Sequence, residues 1–326
     1  MNSWGSRLGR LHRPLVVLAG AMTVMLIASA LGLLFDDRTL LNAPLWAKPF
    51  KFAVSVGMYA LTLAWLLSLV RRGKRAGWWM GTLFAVGIGA DMAMLVWQIA
   101  FRGRTLHFNK ATESDVLINN LVAGGAYLAW FSTLAVVILL LCQKLPDRAL
   151  ASSLRLGTGL AAGGMILAML MFSATKAQQA VLTAGGTPST FGSHTVGYED
   201  GGPGLPLIGW STVGGDLRIP HFVGIHALQA LPLVALALLA LARRYPVLAD
   251  DLVRRRLVRT AGLGYAGLTA LVAWQALRGQ SIVRPDFWTL AAFAGLVAVV
   301  ALGAVLSLRT APKPAAPVER HALSGF

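Results

Sequence analysis

Residues 14–34 read PLVVLAGAMTVMLIASALGLL, a run of 21 residues without a charged side chain. A helix that spans the hydrocarbon core of a bilayer needs roughly 20 apolar residues, because each backbone N–H and C=O must be paired within the segment. Three arginines precede the run and residues 28–30 resemble a cleavage site, as in a signal peptide. The apolar part of a signal peptide is shorter, about 7–15 residues. We therefore predict a retained transmembrane helix.

Seven further stretches have the same character. They cover about 50–70, 78–101, 119–142, 154–175, 221–242, 258–277 and 287–308. The composition agrees, since 56% of the 326 residues are apolar and only 13% are charged, whereas soluble domains are about a quarter charged. The single cysteine excludes an intramolecular disulfide framework. We predict an all-α integral membrane protein with about eight transmembrane helices, in which residues 1–326 form a single polytopic domain.

The distribution of charge predicts the orientation in the membrane. With a cytoplasmic N-terminus, 19 of the 29 basic residues fall in inner segments, and eight of the 13 acidic residues fall in outer segments. This bias follows the positive-inside rule. We therefore predict a bacterial inner (plasma) membrane protein with cytoplasmic N- and C-termini. The same placement accounts for the formal net charge of +16, so we expect the lipid bilayer, and no nucleic acid, as a partner.

Two short motifs recur at an interval of four predicted helices. WQIAFRG (residues 97–103) ends the third helix, and WQALRG (residues 274–279) ends the seventh. This recurrence predicts a tandem 4+4 duplication, with half-repeats 14–142 and 154–308 related by an axis along the membrane normal. The alternative is that tryptophan and arginine recur at helix ends because membrane interfaces favour them.

A polar stripe is predicted on the third helix. Asp91, Gln98 and Arg102 are spaced by 7 and 4 residues, which places them within about 40° of one another on an ideal α-helix. Asp91 lies deep in the span, where an acid costs roughly 2.5–3.5 kcal/mol, so we expect it to be paired with a lysine or arginine or to be protonated. These three residues are the candidate catalytic groups. The alternative for Asp91 is a buried polar tie between helices.

Histidines form a second set of candidates. Four of the six lie in outer segments or in the outer part of a helix, which predicts an outward-facing site. Neutral imidazole binds haem iron, zinc and copper, and it serves as an acid or base near pH 7. The candidate ligands are Lys51, His107, His226 and Gln229 for a cofactor, and His107, His221 and His226 for a metal ion. His107 and His226 together are the candidate pair for haem. The alternative for each histidine is hydrogen bonding between helices.

The connection over residues 176–220 is the one long outer loop, with ten glycines and several aromatic side chains. Loops longer than about 15 residues are usually lids, binding loops or disordered linkers. The aromatic residues argue against simple disorder. We predict that this loop is a lid over an outer cavity.

Two segments carry a resemblance. RGRTLHFN (residues 102–109) and PHFVGIHALQ (residues 220–229) resemble segments of uncharacterised bacterial multi-pass membrane proteins that share RGxxxHFN and PHFxGxHALQ, a group to which no activity attaches. The architecture of two four-helix halves with outward histidines is loosely similar to that of haem A synthase, a family with a histidine pair in each half. Lys51 and Ser55 stand where the second helix would need a histidine, so the resemblance implies one haem site at most.

Three functions remain open. The first is a haem- or metal-dependent membrane oxidoreductase, with haem b or a transition metal as cofactor and quinone or another lipid-soluble molecule as substrate. The second is a proton-coupled or small-solute transporter. The third is a metal-dependent membrane hydrolase or lipid-modifying enzyme, which needs three converging ligands and an open coordination position, with Asp91 or Asp216 beside the histidines. The sequence does not decide whether the protein is an enzyme.

Overall fold

The structure is a computed structural model that describes residues 11–145 and 147–309. It is 71% helical and has nine α-helices over these residues. The helices are α1 (Arg13–Phe35), α2 (Ala47–Ser68), α3 (Lys74–Val96), α4 (Glu113–Leu141), α5 (Arg148–Met169), α6 (Lys176–Thr183), α7 (Arg218–Leu241), α8 (Asp251–Leu277) and α9 (Phe287–Arg309). Sheet structure is limited to two short hairpins, β1 (Thr39–Leu40) with β2 (Ala43–Pro44) and β3 (Thr195–Val196) with β4 (Gly215–Asp216).

Seven of these helices are long and apolar enough to cross a membrane, counted over the described residues. The all-α, multi-pass membrane architecture is therefore confirmed, but the number of such helices is one lower than predicted. The exception is α8, which covers the predicted span 258–277 and extends back to Asp251. Four arginines lie in its first third, and glycine, threonine and glutamine lower the hydropathy of the remainder.

The helices pack as two groups. The first group consists of α1–α4, whose buried side chains form the largest hydrophobic core. In the second group α8 packs against α5, α7 and α9, and α5 packs closely along α7. Direct packing between the two groups is light and includes α4 against α5. This arrangement leaves space between the groups.

Small residues bring α5 and α7 together. A methyl group built on Gly164 would lie 2.6 Å from the backbone nitrogen of Ile225, and one built on Gly224 would lie 2.5 Å from the Cα of Gly164. Glycine at these positions lets the two backbones touch, as is common where helices pack in membranes. The close approach fixes the height of α7 relative to α5 and so fixes the histidines that α7 carries.

The connections separate the bundle into two ends. One end, which we call the long-loop end, holds the connections from α1 to α2, from α3 to α4, from α5 to α7 and from α8 to α9. The turns between α2 and α3, between α4 and α5 and between α7 and α8 lie at the other, the short-loop end. At the long-loop end α3 continues into a π-helical turn, Trp97–Phe101.

Candidate functional site

A cavity of about 800 Å³ lies between the two groups of helices. Its walls come mainly from α2, α4, α5 and α7, and most of the side chains that line them are apolar. On α2 the lining runs from Lys48 to Tyr59, and on α4 it runs from Asn119 to Thr133. At 1.5 Å per residue these stretches correspond to a depth of roughly 16–21 Å. The cavity is therefore deep, narrow and apolar, and the volume is in the upper part of the range for small-molecule sites.

The mouth of the cavity is at the long-loop end. The β1–β2 hairpin and residues 200–211 of the long connection both line it, and the Asn42 amide donates to the Gly201 carbonyl across them, at 2.7 Å. The long connection is thus ordered against the cavity, with the helix α6 and the β3–β4 hairpin inside it. That it opens and closes as a lid stays a prediction.

Lys48 and His107 meet at the mouth. The Lys48 Nζ lies 3.0 Å from His107 Nδ1. With Lys48 as an ammonium group, which has no lone pair, Lys48 donates and Nδ1 accepts, and the imidazole proton is then on Nε2. Burial, together with the positive charge of Lys48, holds the pKa of His107 well below its usual range. His107 is therefore a neutral ring whose Nε2–H is a hydrogen-bond donor.

His194 and Asp200 form the second pair at the mouth. The His194 Nδ1 lies 2.7 Å from an Asp200 oxygen. Burial alone would raise the pKa of Asp200, but hydrogen bonds from the ring and backbone of His194 outweigh it and hold that pKa well below the usual range. Burial in turn lowers the pKa of His194. A neutral His194 donates through Nδ1 to the carboxylate, so its Nε2 keeps a lone pair.

The two histidine pairs lie side by side. The rings of His107 and His194 are 6.4 Å apart between centroids and nearly perpendicular, and both line the cavity. We call Lys48, His107, His194 and Asp200 the mouth cluster. It contains a donor, the Nε2–H of His107, beside a base, the Nε2 of His194 with a carboxylate behind it. This arrangement of a ring oriented by a carboxylate is the one that general acid–base catalysis uses.

Two further cations line the same part of the cavity. The Lys51 Nζ donates to the Ile208 carbonyl at 2.5 Å. Arg218 forms a two-point ion pair with Asp216, through Nε at 2.8 Å and NH2 at 2.5 Å. The Asp216 side chain is fully buried and also accepts from the Ser211 backbone N–H at 2.8 Å. Both oxygens of Asp216 therefore accept hydrogen bonds within the protein, from Arg218 and from the backbone of the loop.

The other two candidate histidines have separate partners. His221 lines the cavity, and its Nδ1 donates to the Gly164 carbonyl at 2.9 Å. The His226 Nε2 lies 3.1 Å from the Ser55 hydroxyl, and neither the His226 Nδ1 nor the buried Gln229 amide has a hydrogen-bond partner. Among residues 11–145 and 147–309, no group of three or more His, Cys, Asp or Glu side chains is arranged to hold a metal ion. A metal-binding role for these histidines stays a prediction.

The arrangement of rings does not fit a haem between His107 and His226. Phe52 and Phe222 lie between them in a chain of ring contacts, with centroid distances of 6.3, 6.5 and 6.1 Å from His107 to Phe52, Phe222 and His226 in turn. Two axial ligands of one haem need open space between their rings for the iron and its macrocycle. In this series of ring contacts, the side chains of Phe52 and Phe222 stand where that open space would be needed.

Gln98 and Arg102 belong to a different cluster. The carboxylate of Asp115, at the start of α4, accepts from Gln98 at 2.6 Å, from Arg104 at 2.8 Å and from the Thr112 hydroxyl at 2.7 Å, and Arg102 forms a 3.3 Å ion pair with it. We call these five residues the Asp115 cluster. The Asp115 side chain and Gln98 are fully buried, Arg102 and Arg104 are partly exposed, and Thr112 is exposed. The cluster ties the end of α3 to the start of α4.

Asp91 lies deeper in the bundle than Gln98 and on the same side of the third helix, because both side chains contact α4. Its carboxylate lies against Gly125 on α4, where an added methyl group would overlap it. Gly125 is ten residues beyond Asp115 on α4, about 15 Å away along that helix. The carboxylate is buried, its Oδ1 has no hydrogen-bond partner, and no ion pair with a lysine or arginine forms among the described residues. Of the two alternatives expected for Asp91, a cationic partner is not found among the described residues, and a protonated carboxyl group stays a prediction.

A π-helical turn lies between Asp91 and Arg102. Residues 97–101 form a wider turn, in which the Arg102 N–H bonds to the Trp97 carbonyl at 3.1 Å. An angle of 100° per residue does not hold across this turn, so Asp91 and Arg102 do not keep the phase of an ideal helix. The pair Gln98 and Arg102 does stay together, at 2.9 Å.

Six residues of the two clusters were not among the candidates: Lys48, His194, Asp200, Arg104, Thr112 and Asp115. Lys48 lies in the polar run at the start of the second predicted helix, and that run is a sequence signal by which it could have been identified. Asp200 and Asp115 pair with residues that are 6 and 11–17 positions away, across loops without periodicity. The sequence carries no signal for those two contacts.

Comparison with known proteins adds no family. No family model, curated protein or solved structure matches this chain. The resemblances of residues 102–109 and 220–229, and the loose similarity to haem A synthase, stay predictions.

Proposed function

We propose that this protein is a membrane enzyme that binds a lipid-soluble substrate in the cavity and moves a proton at the polar head of that substrate. The observation that carries the proposal is the mouth cluster, which lies at the open end of a deep apolar cavity. The apolar walls suit a chain or ring system drawn from the bilayer. The Nε2 of His194 is placed to take a proton, and the Nε2–H of His107 to donate a hydrogen bond to the substrate.

This proposal selects among the three functions that the sequence leaves open. A base at this position could take the proton of a quinol hydroxyl. An oxidoreductase that acts on a quinone-type substrate therefore remains a proposal. A lipid-modifying enzyme fits equally well, because it needs the same base. The transporter has less support, since the cavity lining reaches no deeper than the region of Tyr59 and Thr133 in the described structure.

Mass spectrometry of the bound material tests the proposal. Protein purified in a mild detergent is extracted with organic solvent, and we expect the extract to contain a lipid-soluble compound at about one molecule per chain. Ala126→Trp fills the cavity from α4 and should lose the compound, whereas Leu121→Trp, on the same helix but outside the lining, should keep it. Equal amounts in the two variants would contradict binding in the cavity.

The proton transfer is tested with the compound so identified. Incubated with the protein, it should be converted by the wild type. His194→Gln and Asp200→Asn should bind it and convert it about 10²–10⁴-fold more slowly, which is the typical contribution of a positioned acid or base. Conversion at the wild-type rate by both variants would remove the mouth cluster from the mechanism.

The proposed orientation places the mouth on the outer face of a bacterial inner membrane, with both termini cytoplasmic. The exposed Cys142 is at the short-loop end, just beyond α4. In whole cells a membrane-impermeant thiol reagent should leave Cys142 unlabelled and should label Thr187→Cys, an exposed position at the long-loop end, in a Cys142→Ser background. Labelling of Cys142 alone would show the reverse orientation.

A further inference from the structure

The mouth of the cavity has more positive than negative charge available to a ligand. Arg218 is paired with Asp216, and His194 is paired with Asp200. Lys48 bonds to a neutral imidazole, and Lys51 bonds to a backbone carbonyl. Among residues 11–145 and 147–309, no carboxylate lies within ion-pair distance of either ammonium group. Two cations therefore line the mouth without an acidic partner.

Lys48 and Lys51 line the same part of the cavity mouth. They are three residues apart on α2, so they lie on one face of that helix, and both line the cavity. Two ammonium groups on one face of a helix repel each other, and the Arg218 guanidinium lines the same part of the cavity. An anion bound between them would relieve that repulsion, whereas a cationic head would increase it.

The shape of the cavity constrains the rest of the ligand. From Lys48 the lining of α2 continues through Phe52 and Val56 to Tyr59, roughly 16 Å deeper at 1.5 Å per residue. The opposite wall on α5 is formed by alanine and methionine side chains. A long, narrow, apolar space that begins at two lysines matches a molecule with a charged head and one extended chain.

We propose that the substrate is an anionic amphiphile, with a carboxylate or phosphate head between Lys48 and Lys51 and an apolar chain that extends toward Tyr59. This inference rests on the proposed function and specifies its substrate class. An anionic head has no proton to lose, so the proton that His194 takes comes from a water molecule or hydroxyl group beside the head, and a neutral quinol does not belong to this class. The head lies within the mouth cluster, beside the rings of His107 and His194. The fatty acids and the alkyl or isoprenoid phosphates share this chemistry.

Binding of four probes with the same twelve-carbon chain tests the inference. They are dodecanoate, dodecyl phosphate, dodecanol and dodecyltrimethylammonium, added to protein in nanodiscs, with quenching of tryptophan fluorescence as the readout, since Trp130 lines the cavity. We expect an anionic probe to bind at least tenfold more tightly than dodecanol, and the cationic probe to bind most weakly. The stronger of the two anions identifies the head group as a carboxylate or a phosphate.

A matched pair of variants locates the effect. Lys51→Met should reduce the preference for the anionic probe over dodecanol about tenfold, which corresponds to one hydrogen bond to a charged group. Lys110→Met, at the same end of the molecule but over the Phe191 ring and outside the lining, should leave the preference unchanged. An equal effect of both variants would show a general surface attraction and overturn the inference.

The outcomes for the two proposals are separable. If dodecanol binds as tightly as both anions, the anionic substrate class is wrong while the lipid-binding cavity stands. If none of the four probes quenches the fluorescence and Ala126→Trp changes nothing, the proposed function fails as well.

Discussion

Two carboxylates at the long-loop end have opposite surroundings. Asp115 is fully buried and receives hydrogen bonds or ion pairs from Gln98, Arg102, Arg104 and Thr112, so both of its oxygens are saturated. Asp200 lines the cavity, and through His194 it orients a ring nitrogen whose lone pair is not used by the protein. The first carboxylate joins two helices, and the second prepares a base.

The difference separates structural from functional polar groups in a membrane protein. A buried polar network stabilises the fold only if each member is satisfied, because the low dielectric makes an unpaired group costly. The Asp115 cluster meets this condition. The mouth cluster leaves a donor on His107 and an acceptor on His194 facing a cavity. Substrate or water is needed to complete it.

The largest effect should follow from removing the saturated carboxylate. Asp115→Ala leaves the buried Gln98 amide and two partly exposed arginines without their acceptor, and a buried polar group left unpaired costs about 1–3 kcal/mol. We expect a drop of Tm, measured by tryptophan fluorescence in detergent. Asp251→Ala is the control, because its 3.6 Å pair with Arg148 is exposed and an exposed pair contributes about 0–1 kcal/mol. Equal drops in the two variants would contradict a structural role that is special to Asp115.

Stability should depend on pH through the mouth cluster. Burial lowers the pKa of His107 and of His194 in the folded protein, while a histidine in the unfolded chain titrates near 6.5. Below pH 6.5 the unfolded state therefore binds more protons, and stability falls as the pH falls toward the lowered values. We expect a lower Tm at pH 5.5 than at pH 7.5.

Variants of the two histidines sharpen this prediction. His107→Asn with His194→Asn should reduce the difference in Tm between pH 5.5 and 7.5. Arg104→Gln, in the Asp115 cluster, should lower Tm by similar amounts at both values, because that cluster contains no histidine. An equal difference in Tm between pH 5.5 and 7.5 in the wild type and in the double histidine variant would show that the two rings are not held neutral.

The sequence predicts the helices well and the clusters poorly, for a physical reason. A transmembrane helix is set by the local run of apolar residues, so seven spans lie close to their expected positions. The pairs Lys48–His107 and His194–Asp200 depend on how loops return to the bundle, and no periodicity encodes that. The residues of the predicted stripe, Asp91, Gln98 and Arg102, all contact α4, and a π-helical turn changes the helical phase only at the outer end of the stripe.

A third carboxylate, Asp91, is neither saturated nor in the cavity lining, and its replacement should have the smallest effect. Asp91→Asn keeps the shape of the side chain and removes no hydrogen bond from Oδ1. It also removes the need to bury an acid without a cationic partner. We therefore expect the free energy of unfolding to stay within about 1 kcal/mol of the wild-type value or to rise, and the binding of dodecanoate to be unchanged. A drop of Tm as large as that of Asp115→Ala would show that Asp91 is paired in the membrane. Loss of dodecanoate binding would extend the cavity to α3 at that depth. With both unchanged, Asp91 is a tolerated acid beside Gly125, and the mouth cluster alone carries the chemistry of the cavity.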